Sequence, residues 1–291
     1  MRKLIQFQSD KVVSRLRWVM MAVMLFSVFN TLCGQPQSFW QHPETAIRGD
    51  GLSIGNETNH SFDFFLGRGW VPYLLACLIY LSAAFSFVSL LPRKAALTAI
   101  FSFLFGHFFE ANNWLVVRWH LGINATTMYG FVLATIIVFA IFPTMSSTAG
   151  QIVKRLRWVM LVPMFLDMIN TLVGQPSSYW LHTETAHEAN EVSRFFLIHG
   201  WYAYVFWDMF YFSAGFLLVS ILPRRLGLIC IFIFTLTHFV GASNWFFYEW
   251  RMGIETPVLF GIILSVIIVL LAFPVPDTTT TQDFVSNEAD A

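Results

Sequence analysis

The sequence predicts an all-α integral membrane protein of eight transmembrane helices, built as two tandem four-helix repeats of the same topology. Three observations carry that expectation. The 291 residues are 56% hydrophobic and 12% charged, with a mean hydropathy of +0.62, where a soluble domain carries roughly 25% charged residues. The apolar residues gather into eight runs, at about 18–34, 70–91, 95–116, 128–143, 158–174, 201–222, 226–248 and 258–275. Most approach the ~20 residues a bilayer helix needs, and the first and fifth are the shortest.

The third observation is that the chain is written twice. Arg15-Leu16-Arg17-Trp18-Val19-Met20 returns as Arg155-Leu156-Arg157-Trp158-Val159-Met160, Gly34-Gln35-Pro36 as Gly174-Gln175-Pro176, Gly69-Trp70 as Gly200-Trp201, and Asn113-Trp114 as Asn244-Trp245. A repeat this long is a duplicated bundle and not a short solenoid unit. Gln175 follows Gln35 by 140 residues but Trp201 follows Trp70 by 131, so the first copy holds 9 extra residues, within 47–62. The division expected is a cytoplasmic N-terminal segment at 1–14, repeat 1 at 15–143, a cytoplasmic linker at 144–154, repeat 2 at 155–275 and a disordered cytoplasmic tail at 276–291.

Taken in order, the first run follows Arg2, Lys3, Lys11, Arg15 and Arg17 and resembles a signal peptide. The same pattern recurs at Arg155, inside the chain, so it belongs to the mature protein. Pro36 and Pro176 end the first helix of each copy, because proline restricts the residue before it. The second and third helices of each copy meet at Leu91-Pro92-Arg93 and Leu222-Pro223-Arg224. Of the 17 Lys and Arg, 12 flank one side, which places both termini in the cytoplasm of a bacterial inner membrane or its equivalent. Four spans per repeat then relate the copies by a pseudo-two-fold along the membrane normal. The tail after Asp277, with four consecutive Thr, has no apolar period.

Composition also excludes functions. A net charge of +0 leaves no basic surface for nucleic acid. Cys33, Cys77 and Cys230 lack metal-ligand spacing and have no Cys counterpart in the other copy. Phosphate-binding loops, nucleophile elbows and His-Glu-x-x-His motifs are absent. The lipid bilayer is the expected partner, and no cofactor or metal is named by any motif.

Candidate chemistry lies in three places. The loop after each first helix holds His42-x-Glu44 and His182-x-Glu184, either a proton- or metal-handling pair facing outward or a hydrogen bond that closes the bundle. Glu184-x-x-His187 also has the spacing of di-iron carboxylate bundles, but Ile47 replaces the His in the first copy. The third helix of each copy carries His107-x-x-Glu110-x-x-Asn113 and His238-x-x-Gly241-x-x-Asn244, with the His roughly 20 Å into the membrane. An ionisable group there should face the bundle interior or a cavity, and Gly241 makes the two copies unequal. Asp167 and Asp208 occur in the second copy only, opposite Ser27 and Cys77, as proton relays, cation ligands or helix–helix glue.

The leading expectation is an outward-facing polar site between the repeats, lined by His42, Glu44, His107, Glu110, Asn113, His182, Glu184, His238 and Asn244, that binds or transports a small solute or lipid. A membrane-embedded enzyme, metal-assisted through the His/Glu loops, is the alternative, and a structural or assembly subunit the second. The identity of the ligand is not legible in the residues.

Overall fold

The computed structural model describes residues 2–46, 60–143, 149–188 and 190–273, and no strand occurs among them. Residues 47–59, most of the stretch in which the first copy is longer, and the Thr-rich tail lie outside the described residues. Ten α-helices run in order: α1 (Arg2–Cys33), α2 (His60–Leu66), α3 (Trp70–Leu90), α4 (Arg93–Asn113), α5 (Gly122–Ile141), α6 (Ala149–Val173), α7 (Glu191–Ile198), α8 (Trp201–Ile221), α9 (Arg224–Asn244) and α10 (Glu255–Ala272). The order of elements in the first five is that of the last five, down to paired 3₁₀ turns after α1 and α6 and a π-helical turn after α4 and α9.

Seven helices are long and apolar enough to cross a membrane, which fits a polytopic membrane protein. The first and fourth of these run over Lys11–Cys33 and Gly150–Val173, longer than their apolar runs suggest. Val12, Val13 and Leu16, like Ile152, Val153 and Leu156, extend the apolar face by two turns before the Trp. The intervening arginines are accommodated by reaching sideways. Arg17 donates to Ser89 and lies over the Phe85 ring, and Arg157 donates to Ser220 and lies over Phe216, so the aliphatic stems stay on apolar surface. The eighth long helix, α4, falls outside that set because His107, Glu110, Asn112 and Asn113 crowd its last two turns.

Packing does not keep the halves apart. α1 lies on α4 and α6 on α9, but α5 packs on α9 and α10 on α4. The last helix of each half therefore covers the third helix of the other, and the buried side chains of both halves form one continuous core. Phe101 of α4 and Phe232 of α9, at corresponding positions of the two copies, stack on each other at 6.1 Å and 5°. Two satellite cores sit under the loops that follow α1 and α6, one around Phe39, Leu66, Tyr73 and Cys77, the other around Tyr179, Ala186, Leu197 and Tyr204.

The π-helical turns, Trp114–Arg118 and Trp245–Glu249, swing a tryptophan back onto the end of the first helix of each half. The Trp114 ring rests on Gly34 and the Trp245 ring on Gly174, where a β-carbon would overlap the indole. That close approach explains why the Gly-Gln-Pro motif begins with glycine. Each π turn is followed by a residue in the left-handed region, His120 (φ 53) and Arg251 (φ 50).

Candidate functional site

The two loops carrying His-x-Glu are surface structure. His42 pairs with Glu44 at 3.2 Å and His182 with Glu184 at 3.5 Å, and all four side chains are at least 65% exposed. Beneath them, Thr45 donates to Ser38 and to the His42 carbonyl, and Thr185 bonds Ser178 and the His182 carbonyl. Gln35 and Gln175 turn back to cap the carbonyls of Thr31 and Thr171. Tyr179 is buried and donates to the Leu197 carbonyl at 3.1 Å, and burial holds its phenol above the ordinary range, in the donor form. His187 pairs with Glu249 at 2.8 Å and not with Glu184. Among the described residues, no three His, Cys, Asp or Glu side chains gather as a metal ion would require.

The histidines inside the helices stand in a different setting. His107 and His238 are 16% and 18% exposed, and neither faces outward. On α4, His107 Nδ1 lies 3.0 Å from Glu110 Oε2, and Tyr80 of α3 points its hydroxyl at Nε2, 3.4 Å away. On α9, His238 Nδ1 lies 2.8 Å from Oδ2 of Asp167 on α6, with the Tyr211 ring 5.9 Å from the imidazole. Each half thus holds a tyrosine, a histidine and a carboxylate at Nδ1. The carboxylate arrives from different helices. Ser27 of α1 lies beside Glu110. The corresponding pair in the second half is Asp167 and Gly241, and a β-carbon on Gly241 would overlap the Asp167 carboxylate. The residues at these two positions have exchanged roles, so the halves are alike where the Glu-to-Gly difference suggested they were unequal.

A second layer supports each centre. Tyr73 hydrogen-bonds with Thr31 and Cys77, and Tyr204 with Thr171 and Asp208. Asp208 is buried and within electrostatic reach of Asp167 and His238. It therefore belongs to the same polar cluster and not to a separate relay. Asn113 and Asn244 sit at the entry to the π turns.

The centres differ in what surrounds them. His107, Glu110 and Asn113 line a cavity of about 800 Å³, within the size range of ligand sites. Its walls come from α1 (Ser27, Thr31), α3 (Tyr73, Cys77, Tyr80), α4 and, across the halves, α10 (Val258, Ile262). Glu110, 45% accessible, is among the residues that line it. None of His42, Glu44, His182, Glu184, Asp167, Asp208, His238 or Asn244 is among its walls. Beside His238 an aromatic ring is added: Phe212 meets the imidazole edge-on at 6.3 Å, where the first half has Leu81.

Tyr80, Tyr73, Ser27 and the small residues that open the cavity were not among the sequence candidates. The tyrosines carried a usable signal, since Tyr73/Tyr204 and Tyr80/Tyr211 recur at the same 131-residue spacing as the histidines. No protein-family model matches the chain, and no characterised protein or solved structure is significantly similar to it.

Proposed function

We propose that this chain is an eight-span membrane protein of two parallel repeats, and that it binds a small apolar solute or lipid in the cavity beside His107 and Glu110, for transport or sequestration. The eighth span is α4. Its polar side chains turn to the cavity and the bundle interior, and neighbours cover it, so it does not need the hydropathy of a lipid-facing helix. The self-stacking of Phe101 on Phe232 and the reciprocal placing of α5 and α10 are what a pseudo-two-fold between α4 and α9 produces. Both termini lie on the cytoplasmic side of a bacterial inner membrane or its equivalent, where 12 of 17 basic residues fall. A reporter fused after Ala291 that is active only outside the cell overturns this orientation.

One observation carries the binding reading, namely that an ionisable pair in the span of a helix opens into a cavity of ligand size. The test is to purify the full chain and extract what accompanies it. The wild type is expected to bring down a discrete small molecule or lipid near one per chain. The variant Thr98→Ile/Ser102→Ile, which narrows the middle of the cavity, should lose it. An identical extract from both proteins refutes the reading.

A membrane-embedded acid–base enzyme is favoured by a second observation, the alignment of Tyr80, His107 and Glu110 as a chain of proton-bearing groups. Substitution Tyr80→Phe separates the two. It leaves a binding protein near its wild-type affinity and removes most of the turnover of an enzyme.

A further inference from the structure

The shape and lining of the cavity say more about its occupant, on the reading that it is a binding site. It runs along α4 from Leu91 and Ala95 to Glu110 and Trp114. Between Ala95 and Glu110 that is about 22 Å at 1.5 Å per residue, longer than the roughly 15 Å that chains of one leaflet span in a 30 Å hydrocarbon core. Along the α4 wall of this channel, beside Phe103 and Phe109, five positions carry small side chains: Ala95, Thr98, Ala99, Ser102 and Gly106. Each position in α9 holds a larger residue, namely Leu226, Ile229, Cys230, Ile233 and Thr237. The channel is therefore written into the difference between the two copies.

Its polarity is confined to one end. The hydroxyls along the shank are turned inward, since Ser102 donates to the Thr98 carbonyl at 2.8 Å and Thr31 to the Ser27 carbonyl at 3.1 Å. At the far end stand Glu110, His107 and Asn113. His107 occupies only Oε2 of the carboxylate. Among the described residues that line the cavity there is no Lys or Arg, and His107 is already paired with Glu110, so a phosphate or carboxylate placed there would meet the Glu110 charge without a cation of its own. Phe87 of α3 and Val258 and Ile262 of α10, each 40% or more exposed, border the cavity on the sides away from α4.

We propose that the cavity admits a single-chain amphiphile with a protonated amine head, whose tail lies along Ala95, Thr98, Ala99 and Ser102 and whose ammonium is bound by Glu110. An ammonium adds charged donors to those of His107 and Ser27 at the carboxylate, and its own charge is compensated in a place where water is scarce.

The test uses the full-length protein in lipid nanodiscs and three probes of equal chain length that carry a photoreactive group in the tail: hexadecylamine, hexadecanol and hexadecanoic acid. Labelled peptides are mapped by mass spectrometry. The amine should label α4 and α10 at concentrations about tenfold below the acid. Glu110→Gln should remove that preference while leaving labelling by hexadecanol unchanged. Thr98→Ile/Ser102→Ile should abolish cavity labelling by all three, and Thr98→Ile alone serves if the double variant fails to elute as a single species. Equal labelling by amine and acid, or a preference that survives Glu110→Gln, overturns the assignment of the head and leaves the cavity a binding site. Absence of cavity labelling by any probe overturns both.

Discussion

The histidines of α4 and α9 are the same centre built in two ways. At His107 the carboxylate comes from the same helix, three residues on, and the neighbouring α1 position is the small Ser27. At His238 it crosses from α6, and the position three residues on is Gly241. A carboxylate near Nδ1 is kept in both, although neither residue position is. What is held constant between the copies is a point in space next to an imidazole, which an ionisable ring buried among helices needs as a hydrogen-bond partner. The surroundings followed the opposite course, with smaller side chains at five α4 positions than at their α9 counterparts, and the His107 centre opens on a cavity while the Tyr211 and Phe212 rings stand beside His238.

The largest effect should come from forcing both arrangements on one half. Gly241→Glu places a second carboxylate where Asp167 already lies, and overpacking combined with like charge should cost about 3 kcal/mol or more of stability in detergent. Adding Asp167→Ser rebuilds the first-half arrangement and should recover about 2 kcal/mol. A double variant no more stable than the single one, by thermal unfolding, breaks the equivalence of the two centres.

Next in size is the contrast in packing. Ile229, buried on α9, should cost about 2–4 kcal/mol when changed to Ala. Thr98→Ile, the reverse exchange at the matching position of α4, should cost less than about 1 kcal/mol because the space is there to receive it. Equal losses would mean that the cavity closes in solution.

Removal of the carboxylate sharpens the same comparison. Asp167 is 21% accessible and Glu110 45%, so Asp167→Asn should cost about 2 kcal/mol and Glu110→Gln less than about 1 kcal/mol. A larger loss at Glu110 would assign it to holding the fold together and not to the cavity. The smallest effects are expected in the exposed loops. His42→Ala and His182→Ala should each shift stability by no more than about 0.5 kcal/mol, as exposed ion pairs do, and leave ligand binding unchanged.

Helices and the positions of most turns were legible because they rest on local facts. Apolar runs of membrane length, prolines at helix boundaries and recurring Arg-Leu-Arg-Trp and Gly-Gln-Pro motifs need no knowledge of neighbours. The placing of His107 and His238 away from solvent followed as well, from the cost of an unpartnered ring in hydrocarbon. Four spans per repeat similarly suggested two bundles side by side. Only the tertiary structure decided that the last helix of each half crosses to the other, that Asp167 answers Glu110, and that His42 and His182 stay on the surface. These outcomes depend on residues 70 or more positions apart, whose side chains meet only once the helices have chosen their partners, and every helix here has more than one apolar face to offer. The cavity was hidden for the same reason. Ala95, Thr98, Ala99 and Ser102 read as ordinary helix surface until α3 and α10 stand on either side of them.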